Sequence, residues 1–253
     1  MKFALSVALA FVMYNCTAQE TIHFFNEDGR SVKEKQAVVL QQQIKLNDTL
    51  WEFNNYLITG PMYVSMQTLD EKGSVLNGRY LAYNRKGDLD SAGQYSNGLR
   101  EGKWYTYSSK GRIIKELTYD HGKLTGKKDS AQINEEGKKW RDSAFAGRTV
   151  IEVEAEFPGG SAAWLDYLNH HFRYPDRGIN KAIQGTSIVE FIVDKDGSID
   201  PRHIRIDHSV EFSIDRESIK TIQESPSWRP AVQDGKVVKS HKKQPFVLKL
   251  TKG

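Results

Sequence analysis

The feature that most restricts this chain is self-similarity at an offset of 24 residues. Gly78-Arg79-Tyr80 lies over Gly102-Lys103-Trp104, and the same shift maps Tyr83 onto Tyr107, Gly87 onto Gly111, Leu89 onto Ile113, Tyr95 onto Tyr119, Gly98 onto Gly122 and Gly102 onto Gly126. Each unit reads aromatic, three residues, glycine, a short apolar/polar stretch and a second aromatic. That order predicts a β-hairpin whose glycines take positive φ at the turns. A lone hairpin cannot bury its apolar face, so successive units must share a sheet or stack. Phe25-x-x-x-Gly29 and Tyr56-x-x-x-Gly60 read as degenerate earlier copies.

These units resemble MORN-type repeats, with Asn97-Gly98-Leu99-Arg100-Glu101-Gly102-Lys103-Trp104 the nearest stretch and Asn77 to Gly126 the extent of the likeness. The resemblance implies scaffolding and binding and no particular chemistry. Tyr80, Tyr83, Trp104 and Tyr107 read as packing groups; the other reading, a stacking platform for sugars, asks large aromatics to stay exposed.

The N-terminus has the order of a secretory signal: Met1-Lys2, an apolar run from Phe3 to Met13, then Cys16-Thr17-Ala18. Cleavage after Ala18 assigns residues 1–18 to a signal peptide and the mature chain to the periplasm. The alternative is Cys16 as the lipid-bearing first residue of a lipoprotein, for which Met13-Tyr14-Asn15 is a poor approach. Cys16 is the only cysteine, so either route leaves no disulfide framework. A net charge of +4 with both signs interspersed reads as a solvated surface, not a nucleic-acid footprint. The repeat region then occupies 19–126. A charged stretch at 127–149, with Asn134-Glu135-Glu136-Gly137-Lys138-Lys139, reads as a linker or a frayed last repeat, and of seven prolines only Pro61 precedes it.

From 150 to 253 the pattern is α+β. Phe157-Pro158-Gly159-Gly160-Ser161 is a turn with Ser161 as N-cap, and Trp164, Leu165, Leu168 and Phe172 follow at helical spacing. The helix must stop ahead of Tyr174-Pro175. Thr186 to Val193 is a strand with Val189, Phe191 and Val193 on one face; Asp196-Gly197 is a turn, and Ile204 and Ile206 alternate along the returning strand. Ile214, Ile219 and Ile222 mark a second helix started by Ser213 or Asp215 and halted at Pro226. The chain is extended again from Val237 to Leu250, and Pro245 confines that strand to an edge or a bulge.

This order resembles the C-terminal domain of the TonB family over roughly Glu154 to Leu250. The likeness rests on Phe157-Pro158-Gly159-Gly160, Tyr174-Pro175, Ile183-Gln184-Gly185, Val193-Asp194-Lys195-Asp196-Gly197-Ser198-Ile199, and Ser225-Pro226-Ser227-Trp228-Arg229-Pro230 leading to Pro245-Phe246-Val247-Leu248-Lys249-Leu250. Ala231 replaces the usual glycine, and Ser218 the usual alanine. The resemblance implies a two-helix, three-stranded antiparallel domain of the TonB/TolA C-terminal type. It also implies a partner, the extended peptide of an outer-membrane TonB-dependent receptor, held by Tyr174, Pro175, Phe246, Val247, Leu248, Lys249 and Leu250. Full transducers also contact ExbB and ExbD through an uncleaved membrane helix followed by a proline-rich spacer, features not expected of this chain. An exposed edge strand makes a strand-exchanged homodimer conceivable.

No enzymatic activity, cofactor or metal is expected. There is no Gly-x-Ser-x-Gly elbow or phosphate loop. Asp194-x-Asp196-Gly197-x-x-Asp200 has its glycine fourth instead of sixth, so it reads as a turn and not a calcium loop. His170-His171, His203 and His208 have no partner motif. Lys236, Lys239, His241, Lys242 and Lys243 have two readings, steering of an acidic partner or protection of an edge strand. The expected function is therefore that of a periplasmic TonB-family binding protein acting with outer-membrane receptors in transport. The alternative is an envelope scaffold in which the repeats bind a polymer or protein without energy coupling.

Overall fold

A computed structural model describes residues 19–145 and 153–250, with side chains described outside 140–145. The expected signal peptide, residues 1–18, and with it Cys16, lies outside the described residues.

The first unit is one nine-stranded antiparallel sheet in strict chain order: β1 Glu20–Phe25, β2 Val39–Asn47, β3 Leu50–Leu57, β4 Met62–Thr68, β5 Leu76–Tyr83, β6 Leu89–Ser96, β7 Leu99–Tyr107, β8 Ile113–Asp120 and β9 Lys123–Asp129. Repeat glycines sit in the turns with positive φ, at Gly87 (88°), Gly98 (82°), Gly111 (69°) and Gly122 (81°). Gly78 and Gly102 also have positive φ but lie inside strands, where they ease the register shifts of β4–β5 and β6–β7. The hairpin period read from sequence is thus present, with bulges added.

The four repeat aromatics do not form one row. Successive side chains along a strand alternate faces, and a spacing of three puts Tyr80 and Tyr83, like Trp104 and Tyr107, on opposite sides. On one face Tyr80, Tyr95, Trp104 and Tyr119 meet edge to face or tilted, at centroid distances of 5.1–6.4 Å. Gly93 makes room there, since a Cβ on it would come within 2.2 Å of the Trp104 ring. The Arg100 guanidinium lies 4.5 Å over Trp104 and 5.4 Å over Tyr119. On the other face Leu40, Tyr56, Met62, Leu81, Tyr83, Leu89 and Ala92 are buried, and Tyr107 is packed against them.

The stretch expected to be a linker carries regular structure: residues 127–129 complete β9, and Ser130–Phe145 form helix α1, packed on β8 and β9. Asp129 starts it by accepting from the Ala131 and Gln132 amides, both at 3.0 Å. Polarity masked the helix, because most of its residues face solvent.

In the second unit, helix α2 spans Gly160–His171 and a five-residue helix α3 spans Asp176–Asn180. Strand β10 is Gly185–Val193, β11 Arg205–His208, helix α4 Phe212–Gln223, and strands β12 Ala231–Gln233, β13 Lys236–Val238 and β14 Ser240–Leu248 follow. The main sheet has the order β11-β10-β14, all antiparallel. The fold is thus α+β with a three-stranded sheet as expected, but α3 is an extra helix, and β12–β13 is a separate ribbon turning through Asp234 and Gly235 with positive φ. Residues 153–156 extend that ribbon through reciprocal main-chain bonds of Val153 with Val232 and of Glu156 with Arg229.

Two helix starts differ from expectation. The residue before α2 is Gly159 in the left-handed region, and Ser161 makes no cap; α4 is capped by Glu211, which accepts from Ser213 N at 2.8 Å. The TonB-type landmarks are structural joints. Phe157 packs against Trp164, Tyr167 and Trp228, and Trp228 N donates to Gly197 O at 2.8 Å, an approach so close that a Cβ on Gly197 would meet Trp228 O at 2.0 Å. Asp194-Lys195-Asp196-Gly197 is a turn closed by Gly197 N to Asp194 O.

The two units share one core. Tyr56 meets Phe212 edge to face at 5.5 Å, and the sheet's inner apolar residues are continuous with Ile204, Ile206, Ile214 and Phe212.

Candidate functional site

A three-stranded sheet has two edges, β11 and β14, each a row of main-chain groups that water or another strand must satisfy. The structure treats them differently. At β11, Tyr83 Oη donates to Ile206 O at 2.8 Å and Arg79 donates to Ile204 O at 3.1 Å. Arg79 is itself held by Glu52 at 2.9 Å. Asp88 bridges to His208, with His208 Nδ1 2.8 Å from the Asp88 carboxylate, and Ser209 N donates to Gly87 O at 2.8 Å. The β5–β6 hairpin of the large sheet therefore closes the β11 edge.

Below this junction lies a polar chain. Met62 N donates to Ser209 Oγ at 2.7 Å; Ser209 Oγ donates to Asp215, which also accepts from Ser187 Oγ at 2.9 Å and Val210 N at 3.2 Å. Asp215 is fully buried on α4, and burial pushes its carboxyl up to about 7 against the pull of these donors. Beside it, buried Glu211 accepts from Arg177, which also donates to Ile58 O at 2.6 Å and pairs with Glu34. Sequence reasoning missed this whole junction. Gly87 reads there as an ordinary turn glycine, and the buried acids carry no local signature.

At β14 the opposite holds. Its one strand partner is β10, and its outer side has no main-chain partner among the described residues. Pro245 stands opposite Ile188, which is free of cost where the proline nitrogen faces outward, so His241, Lys243, Pro245 and Val247 direct their main-chain groups to solvent. Phe246 and Leu248 are buried toward the core, while Val247 is 63% exposed. Lys249 is exposed, and Leu250 N donates to Gln184 Oε1 at 3.3 Å.

Tyr174 and Pro175 are half-buried between α2 and α3. The Tyr174 hydroxyl is taken by Ile183 O just ahead of β10, and Gly185 at the start of that strand pairs with Leu248. The structure thus gathers the Tyr174-Pro175 segment and the end of β14 at one end of the sheet, with Tyr174 already engaged. The basic run is also engaged: Lys239 pairs with Asp194, Lys242 with Glu154, and Lys243 with Asp207, each at 2.7 Å. Half-buried Glu190 is held below the usual carboxylate range; burial works against this, and Arg205 with Lys243 and His241 outweighs it. Of the two readings of that run, this pairing favours edge protection.

Of the histidines, His170 and His171 bond to the carbonyls of Asp166 and Tyr167 in their own helix. Among the described residues Glu101, Asp120 and His121 have ligand-like spacing, at an exposed turn where His121 already sits 2.6 Å from Asp120.

The class so defined is an α+β sheet domain with one open and one closed edge. Residues 170–250 match the family described as Gram-negative bacterial TonB protein C-terminal. The match supports a TonB-family C-terminal domain over this stretch; proteins of that family are described as non-enzymatic and transport-associated, acting in the envelope with outer-membrane receptors and ExbB/ExbD. The match begins inside α2 and covers none of the large sheet. No curated protein and no solved structure matches the chain. No helix among the described residues is long and apolar enough to cross a membrane.

Proposed function

We propose that this is a periplasmic TonB-type binding protein that takes an extended segment of a partner, such as the plug-side peptide of an outer-membrane receptor, as an added strand on β14. The observation that carries the reading is the asymmetry of the sheet: the β11 edge is closed by the chain itself and the β14 edge is open. Main-chain bonds to His241, Lys243, Pro245 and Val247 supply affinity, and neighbouring side chains supply selection. Phe246 and Leu248 hold the strand to the core, while Val247, Lys249 and Leu250 flank the guest. Tyr174 and Pro175 shape the end of the site.

Titration of the protein with receptor-derived peptides, followed by amide exchange, tests this. Protection is expected at His241, Lys243 and Val247. Absence of binding at millimolar peptide overturns it.

The alternative, a scaffold working through the large sheet, draws on the aromatic face of Tyr80, Tyr95, Trp104 and Tyr119, which points away from the C-terminal unit. Deleting the repeats cannot separate the two readings, because that sheet covers Ile204, Ile206 and Phe212. Point changes at Tyr95 and Tyr119 do so: they abolish envelope association under the scaffold reading and leave peptide binding intact under ours.

A further inference from the structure

We propose that Glu101, Asp120 and His121 of the large sheet hold a zinc ion at the turn between β8 and β9.

The three side chains come from two neighbouring strands and the turn that follows them. Glu101 is in β7, Asp120 ends β8, and His121 opens the β8–β9 turn with φ of 46°. One ligand atom from each lies within 4.8 Å of the other two. His121 Nδ1 is 2.6 Å from the Asp120 carboxylate, and His121 N donates to Glu101 Oε2 at 2.9 Å.

The repeat itself shows whether the turn needs these residues. At an offset of 24 residues the same three positions hold Asn77, Ser96 and Asn97. Asn97 N donates to Asn77 Oδ1 at 3.1 Å, the φ of Asn97 is 48°, and Gly98 N donates to Leu76 O as Gly122 N does to Arg100 O. Neutral side chains therefore close an equivalent turn through equivalent bonds. The later copy adds two carboxylates and an imidazole at the three positions that converge, and the turn requires none of them.

Two carboxylates placed together are unfavourable without a cation between them. In the metal-free chain a proton on His121 meets that need: its hydrogen bond to Asp120, with the charges of Asp120 and Glu101, raises the imidazole above its usual pKa. One imidazole nitrogen and two carboxylate oxygens suit zinc at about 2.0–2.2 Å each, so the ligand atoms close to roughly 3.5 Å apart, and water takes the fourth position. The side chains of Asp120 and His121 are 69% and 86% exposed, which leaves them room to turn inward. Calcium is a poor fit, because it takes six or more oxygen ligands at about 2.3–2.6 Å.

The test is calorimetric titration of the chelator-treated full chain with zinc, beside a triple variant, Glu101→Asn, Asp120→Ser and His121→Asn, that copies the preceding repeat. The natural chain is expected to bind zinc at least about tenfold tighter than the variant. Zinc should also shift the His121 imidazole resonances in NMR of the natural chain, a reading that stands whether or not the variant folds. Calcium at the same concentration should leave those resonances in place. Equal zinc binding by the two chains, no binding at all, or zinc binding that leaves His121 unmoved overturns the proposal. Calcium displacing zinc on equal terms overturns it too, since the three groups are then no more than an acidic surface cluster.

Discussion

The two edge strands of the C-terminal sheet flank the same central strand and meet opposite fates. β11 is four residues long, and the carbonyls of Ile206 within it and of Ile204 just ahead of it are taken by Tyr83 and Arg79 of another sheet; β14 is nine residues long, and its outer groups are left to solvent. An edge row of amides and carbonyls costs little while water solvates it and is a hazard once another chain finds it. Closing one edge from within leaves a single open edge, on which the lysines and Pro245 limit self-pairing. The comparison teaches that the large sheet decides which edge of the small one stays open.

The comparison breaks hardest at Gly87. A side chain there has a Cβ 1.9 Å from Ser209 O and a φ of +88°, so Gly87→Val should cost about 4 kcal/mol or more in urea unfolding and free the β11 edge, seen as concentration-dependent association in sedimentation. Gly98→Ala, with φ +82° and nothing within 4 Å, is the control and should cost only about 1 kcal/mol.

The junction is sharpened next through Asp215. Its folded carboxyl titrates near 7, above the unfolded value, so the folded state holds the extra proton between about pH 4 and 7 and stability falls as pH rises through that window. Relative to Asp215→Asn, the natural protein should lose about 1.4 kcal/mol per pH unit at full linkage. Parallel stability curves from pH 4 to 8 would sink this assignment.

Tyr83→Phe removes the hydroxyl from Ile206 O and should cost about 1–2 kcal/mol, with faster amide exchange confined to β11. The smallest stability effect is expected on the open side. Pro245→Ala restores an outward N–H and should shift unfolding by no more than about 0.5 kcal/mol while promoting association through β14.

Much of the local architecture was legible in the residues. Glycine and aromatic spacing implied the hairpins, the alternation of Val189, Phe191 and Val193 implied β10, and Pro245 implied an edge, because each rests on φ preference or side-chain period within a few residues. Helix α1 was missed because its sequence is mostly polar, and Leu165 was counted with the core face although it is 60% exposed. The candidate site was half legible: the terminal strand was readable as an edge, but not which edge would stay open.

Gly87 and Gly111 show where sequence stops. They occupy the same repeat position 24 residues apart, with φ of 88° and 69°, and the chain itself determined that both must be turn glycines. Only the tertiary structure decided that Gly111 faces open space while Gly87 lies against Ser209 O and seals β11. The reason is that a turn's φ is set by its own residues, whereas the contact joins positions more than a hundred residues apart and exists only once both sheets are folded.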